Sequence, residues 1–350
     1  MRVVVRADGG AAVGMGHVTR CLALAERLTE RGATVTFVTR ADTPAVVSRI
    51  AGQGCEVVAL PGRRDRGADL DALLGRAAAI GARAAVVDVH GFEAAGQAAL
   101  RAAGLRLTMV DDLGRARFVA DVVLNQNLGA RAEAYEVEPY TRLLLGPRYA
   151  MLRRAFVGRA AAPAGIRPRV LVTMGGGDAD NVTLRALRAA DALAADFVMD
   201  VVLGPAFPHD EAVSAAVERA RHPVVIHRDL PDLAGLMAGA TLALSAAGST
   251  CWELAHLGVP ALLLTLADNQ AGIAAGLDAA GFAISLGQAE RLSGPALRDA
   301  LAELLADPDR RARMSAIGRR LVDGDGAARV AAEVMASGPG AAVVGGPVRV

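Results

Sequence analysis

The feature that most constrains this chain is an alternation, made twice, of short β-branched runs with stretches of helical periodicity. Arg2 to Ala7 and Thr34 to Thr39 read as strands, and Val18, Cys21, Leu22, Ala25 and Leu28 between them recur at helical spacing. Glu56 to Leu60, Ala84 to Asp88, Arg106 to Val110 and Val122 to Leu124 continue the series. Apolar runs separated by helices make a parallel sheet covered on both faces. From Phe156 to Pro168 the periodicity lapses amid Gly and Pro, and at Arg169 the alternation restarts. Its strands are Val170 to Thr173, Phe197 to Leu203, Val224 to His227, Leu242 to Ser245 and Ala261 to Leu264. Helices are expected from Pro44 behind an N-capping Thr43, from about Asn181, over His209 to Ala220, from Asp232, from Ser249, near Asn269, and across much of Pro295 to Ala336.

A chain of 350 residues is long enough for two such cores. The expected organisation is an α/β fold of two Rossmann-like domains, residues 1–156 and 169–336, facing a central cleft. A linker at 157–168 joins them, and a disordered Gly/Val/Pro tail at 337–350 follows.

Composition excludes several functions. A formal net charge of +1 and 3% aromatic residues give neither a polyanion-binding surface nor a base-stacking platform, so nucleic acid is not the expected partner. Cys21, Cys55 and Cys251 are odd in number and far apart, without the spacing of a disulfide framework or a zinc site, which fits a reducing cytoplasm. The histidines at 209, 222, 227 and 256 lack metal-ligand spacing as well, so no metal and no cofactor are assigned. No apolar run is long enough to span a bilayer, and the chain opens on a strand rather than a signal segment.

Chemistry concentrates where strands meet glycine turns. After the first strand, Asp8 to Arg20 runs through Gly14 and Gly16 to His17 at a helix start. Those glycines permit close approach of a ligand, and the helix dipole favours a neutral, proton-accepting imidazole. A Gly-x-Gly turn with one histidine can equally be a cap or a packing element. In the second half, Ser245 to Glu253 repeats strand, glycine turn and helix start. Its amides with the Ser249 and Thr250 hydroxyls can cradle a diphosphate, and Glu253 can accept from a ribose diol. The competing use is Ser249 as N-cap with Glu253 as capping-box partner. Met174 to Asp178 offers a second donor turn, and Thr265 to Gln270 lies beyond another strand. Asp88-Val-His90, Asp111-Asp112 and Asn125-Gln-Asn127 also end strands, with capping or structural hydrogen bonding the leading use of Asp111 and Asp112.

Taken in order, these segments resemble the PseG/SpsG family of nucleotide-sugar enzymes, which have the GT-B fold. The resemblance rests on Arg6-Ala-Asp8, Gly14 to Ala25, Asp111-Asp-Leu113, Leu124 to Asn127, Leu145 to Arg153, Met174 to Asp178, Gly248 to Glu253 and Asp268-Asn-Gln270, and covers residues 1 to 336. It implies that His17 activates water, that the substrate is a UDP-sugar, and that no metal is needed. It further implies that Asn269 lies close to the sugar; from their places at the glycine turn and the strand ends, Gly14, Gly16, Arg20, His90 and Gln270 are expected on the substrate side as well. On the resemblance Gly248, Ser249 and Thr250 would meet the phosphates and Glu253 the ribose, with uracil near the backbone of Ile226 to Asp229; the N–H groups of the Met174 to Asp178 turn add Gly175 and Gly176 to the expected UDP site. The family has a tyrosine in an Asp-x-Tyr element where this chain has Asp88-Val-His90, a change at the position that selects sugar or acceptor. The implied reaction is metal-independent hydrolysis of a UDP-linked amino or deoxy sugar, as in pseudaminic acid biosynthesis. The alternatives are sugar transfer to a small acceptor, epimerisation, and nucleotide-sugar sensing without catalysis.

Overall fold

A computed structural model of the chain describes residues 1–10, 14–40, 44–60, 66–114, 116–159, 167–204, 207–228, 230 and 233–336. It divides into two compact units. The first begins with β1 (Arg2–Ala7), α1 (Gly16–Glu30), β2 (Thr34–Thr39), α2 (Pro44–Ala51), β3 (Glu56–Ala59), α3 (Arg66–Ile80), β4 (Ala84–Asp88), α4 (Ala94–Ala102) and β5 (Arg106–Val110). It continues with β6 (Arg117–Phe118), β7 (Val122–Asn125), β8 (Glu136–Val137) and β9 (Arg142–Leu145).

Seven strands form one parallel sheet in the order β3-β2-β1-β4-β5-β7-β9, while β6 and β8 pair separately. Alternation along β1 shows how both faces are used. Val3, Val5 and Ala7 pack into one core with Leu24, Leu28 and Phe37, and Val4 packs into the other with Leu73, Leu100 and Leu107. The strand order reverses direction between β1 and β4, so a crevice opens beyond their carboxyl ends.

The second unit, residues 155–323, is a continuous segment. It contains β10 (Arg169–Thr173), α5 (Val182–Asp191), β11 (Val198–Leu203), α6 (Asp210–Val217), β12 (Val224–Arg228), α7 (Leu233–Ala238), β13 (Leu242–Ala246) and α8 (Thr250–Leu257). Then follow β14 (Ala261–Thr265), α9 (Ala271–Ala279), β15 (Ala283–Gln288), α10 (Gly294–Ala306) and α11 (Pro308–Leu321). Its six strands are all parallel, in the order β12-β11-β10-β13-β14-β15, and the reversal falls between β10 and β13. Each unit is Rossmann-like.

One element lies elsewhere than the sequence reading placed it. The last helix, α12 (Gly326–Met335), expected in the second domain, packs against α1 and completes the first unit. Its Ala327, Val330, Ala331 and Val334 are fully buried in the same core as Leu24 and Leu28, so its apolar stripe belongs to the first sheet. The helix expected to reach Ala220 leaves regular form at Val217. Strands β6, β8, β9 and β15 are absent from the sequence expectation. Most of the expected linker at 157–168, the tail at 337–350, Thr43, Asp229 and Asp232 lie outside the described residues. Among the described residues no helix is long and apolar enough to cross a membrane.

Candidate active site

At the reversal point of the first sheet, β1 leads into the glycine turn and α1, while neighbouring β4 ends in Asp88. Ala7 and Asp88 are in register, so the pairing of two parallel strands brings the His17 turn beside that carboxylate. Gly14 takes φ +74°, a left-handed conformation that other residues adopt at a cost, and closes the turn by accepting from the Gly10 N–H at 3.1 Å. His17 is the second residue of α1.

His17 Nδ1 lies 2.8 Å from Asp88 Oδ1 and 3.1 Å from Arg20 Nη2. The hydrogens can be assigned by counting. Arg20 Nη2 carries two, and both have better acceptors, Asp88 Oδ1 at 2.6 Å and Asp112 Oδ2 at 2.9 Å. None remains for the imidazole. Nδ1 therefore carries the proton and donates it to Asp88, so in the neutral ring the lone pair sits on Nε2.

Arg20, expected on the substrate side, is tied into a carboxylate network. It is 7% exposed, and four of its five N–H groups are taken up: Nε by Asp88 Oδ2 at 2.7 Å, Nη2 as above, and Nη1 by Asp112 Oδ1 at 2.8 Å. Burial alone would raise the Asp88 carboxyl, but Arg20, and after it His17, hold it well below the usual carboxylate range. Asp112 is likewise pushed up by burial and brought lower overall by Arg20. Asn127 Nδ2 donates to Asp112 Oδ1 at 3.1 Å, extending the network away from the ring. The Cys21 thiol, raised well above its ordinary range by burial and by Asp88, stays protonated and contacts Asp88 Oδ2 at 3.4 Å.

Other strand-end residues are structural. Asp111 Oδ2 accepts from Leu113 N and from Tyr135 Oη, each at 3.0 Å; Asn125 accepts from Asn127 N, and Gln126 from Met151 N. His90 is exposed on the turn after β4, and its ring meets His17 edge to face with centroids 5.1 Å apart. That contact puts it beside the base, where the sequence reading expected a substrate-side residue.

In the second unit the turns after β10 and β13 flank the reversal point, the crevice where open α/β sheets take ligands. Gly175 and Gly176 follow β10, and Asp178 anchors their turn by accepting from Val182 N and Thr183 N, both at 2.8 Å. Gly248, Ser249 and Thr250 form the start of α8. The capping use of Ser249 is not realised, because its side chain makes no cap hydrogen bond. Cys251 N and Trp252 N close onto the carbonyls of Gly248 and Ser249, whereas no backbone acceptor among the described residues meets the Ser249 or Thr250 amide. Glu253 is 7% exposed in the first turn of α8.

Asn269 is exposed in a 3-10 turn, Asp268–Gln270. The Gln270 side-chain oxygen accepts from Leu266 N at 2.9 Å, so that acceptor is committed to its own turn rather than to a ligand. Ile226 is half-buried on the edge strand β12.

Two open α/β sheets in one chain, each with its glycine turn at the reversal point and one with an oriented histidine, define a GT-B enzyme. The structural likeness agrees. Acinetobacter baumannii MurG superposes with a TM-score of 0.71 over 95% of this chain and 99% of its own at 18% identity, and the calicheamicin glycosyltransferase CalG4 with 0.66 over 95% and 97% at 18% identity. Residues 169–329 match the glycosyltransferase family 28 C-terminal domain. The spore coat polysaccharide biosynthesis protein SpsG of Bacillus subtilis (strain 168) is 30% identical over 346 residues, 95% of this chain and 97% of the relative. The chain belongs to the PseG/SpsG family. A 129-residue stretch is also 41% identical to the UDP-N-acetylglucosamine–N-acetylmuramyl-(pentapeptide) pyrophosphoryl-undecaprenol N-acetylglucosamine transferase of Acidithiobacillus ferrooxidans, covering 35% of this chain and 36% of that one.

Proposed function

We propose that the chain hydrolyses a UDP-linked amino or deoxy sugar without a metal, His17 acting as general base. In this reading Nε2 takes a proton from water, the water oxygen bonds to the anomeric carbon, and the bond from that carbon to the diphosphate breaks with its electron pair leaving on UDP. Asp88 holds the ring and balances the charge it gains. Amides of the Gly175–Gly176 turn and of Ser249 and Thr250 at the start of α8 stabilise the departing diphosphate, and Glu253 takes the ribose. Ile226 backbone is assigned to uracil and Asn269 to the sugar. The observation that carries the proposal is the His17–Asp88 pair, whose hydrogen count leaves Nε2 as the basic nitrogen.

A second reading, sugar transfer to a small acceptor, uses the same donor site and the same base. It is supported by the family 28 match and by His90 standing beside His17 where the family's tyrosine would be. Incubating the purified chain with a panel of UDP-sugars and following UDP release separates the two. Release without any acceptor supports hydrolysis, release only with an acceptor supports transfer, and no UDP release under either condition overturns both.

A further inference from the structure

At the carboxyl ends of β14 and β15 the second unit contains a cavity of about 140 Å³ that the catalytic reading leaves unused. Its origin is local. The register between these strands slips, Leu263 pairing with Ser285 but Thr265 with Gln288, and such a bulge splays two strands at their ends. Three carboxyl side chains from three separate segments line it: Asp180 ahead of α5, Asp268 after β14 and Glu290 after β15. Among the described residues that line it the one cation is Arg185, which donates from Nη2 to the Leu292 carbonyl. Thr265 lines it too; that residue is 7% exposed, and its hydroxyl meets no hydrogen-bond partner among the described residues. On the wall of a cavity, such a hydroxyl is available to hydrogen-bond a ligand.

We propose that this cavity receives a protonated amine carried on the sugar of the substrate. The argument rests on the reading that UDP sits at the start of α8. Strands β13 and β14 are neighbours, in register from Ala243 with Ala261 to Ala246 with Leu264. Their ends are therefore about 5 Å apart, and a sugar attached to a diphosphate at Gly248 to Thr250 reaches Thr265 in the length of one ring. The volume suits a substituent and is too small for a nucleotide. Charge chooses the kind of substituent. Three carboxyl groups against one guanidinium attract a cation, and no group of His, Cys, Asp or Glu among the described residues could hold a metal ion. An ammonium donates three hydrogen bonds, to carboxylates and to the Thr265 oxygen, whereas an acetamide would present its own carbonyl oxygen to the carboxylates.

The test is calorimetric titration of the full chain at mildly acidic pH, first with UDP, then with two pairs of UDP-sugars. Members of a pair differ only in a free amine against an acetamide, at C2 in one pair and at C4 in the other. The amine member of at least one pair is expected to bind about ten-fold tighter. Glu290→Gln with Asp180→Asn should reduce that preference to about three-fold or less, with UDP affinity and the thermal midpoint unchanged. If UDP binds but neither pair shows the preference, or the preference survives both substitutions, the cavity does not take an amine while the nucleotide reading stands. If UDP itself does not bind, the nucleotide reading fails and this inference fails with it.

Discussion

Replacing Asp88 by Asn removes little volume but reverses a hydrogen bond. The new amide can donate toward His17 Nδ1, which would move the ring proton to Nε2 and leave no lone pair for the attacking water. Turnover in Asp88→Asn is expected to fall about 10²- to 10⁴-fold, as in His17→Ala, with UDP affinity within about three-fold of the native value. Steady-state kinetics paired with UDP titration checks this, and parallel loss of both would give His17 a binding role instead. The same network makes an acid-stability prediction. Asp88 and Asp112 have folded pKa values below their unfolded ones, so their contribution is complete above about pH 4, the unfolded range, and is lost as pH falls through the lower folded values. Urea midpoints from pH 7 to pH 3 should be nearly flat at first and decline below about pH 4. Asp112→Asn should be less stable at pH 7 and lose less on acidification. The place of His17 in the first turn of a helix was legible from its glycines, but its carboxylate neighbour was not. Asp88 is 71 residues away, and only the parallel pairing of β1 with β4 joins them. The network around Arg20 was hidden for the same reason, since the carboxylates that occupy it lie 68 and 92 residues along the chain.

At the level of elements, both glycine turns owe their place to the strand that ends before them and the helix that starts after them. Asp178 shows how such a turn is tied down. Its two carboxylate oxygens accept from Val182 N and Thr183 N, groups that the helix cannot satisfy internally. Asp178→Ala should cost about 1–2 kcal/mol in urea denaturation. It should also weaken UDP binding several-fold, because the Gly175–Gly176 turn loses its anchor; unchanged affinity would remove that turn from the diphosphate site. Most elements could be read from periodicity, because strands buried on both faces are continuous apolar runs, as in β13 and β14. Strand β15 escaped because Ala283 to Gln288 is an edge strand, largely half-buried or exposed and mixed in polarity. Strand β9 hid between a turn and a Gly-Pro breaker and has four residues.

The whole molecule is held in an order that periodicity cannot reveal, since a helix's apolar stripe does not say which sheet it covers. The second unit runs unbroken from 155 to 323, and the chain then returns to the first unit to lay α12 on α1. The first fold is therefore finished only after the second has been made. Val330, fully buried in that seam, separates the two units experimentally. Val330→Ala leaves a small void and should lower the stability of the first unit by roughly 1–3 kcal/mol. Val330→Asp places an unpaired carboxylate in an apolar core and should unfold the first unit well before the second, giving two resolved transitions in calorimetry. Because the proposed UDP residues lie in the continuous second unit, UDP affinity should persist in Val330→Asp while turnover, which needs His17, is abolished. Loss of UDP binding together with turnover would mean that the nucleotide depends on the first unit, and the division of labour proposed between base and nucleotide would have to be redrawn.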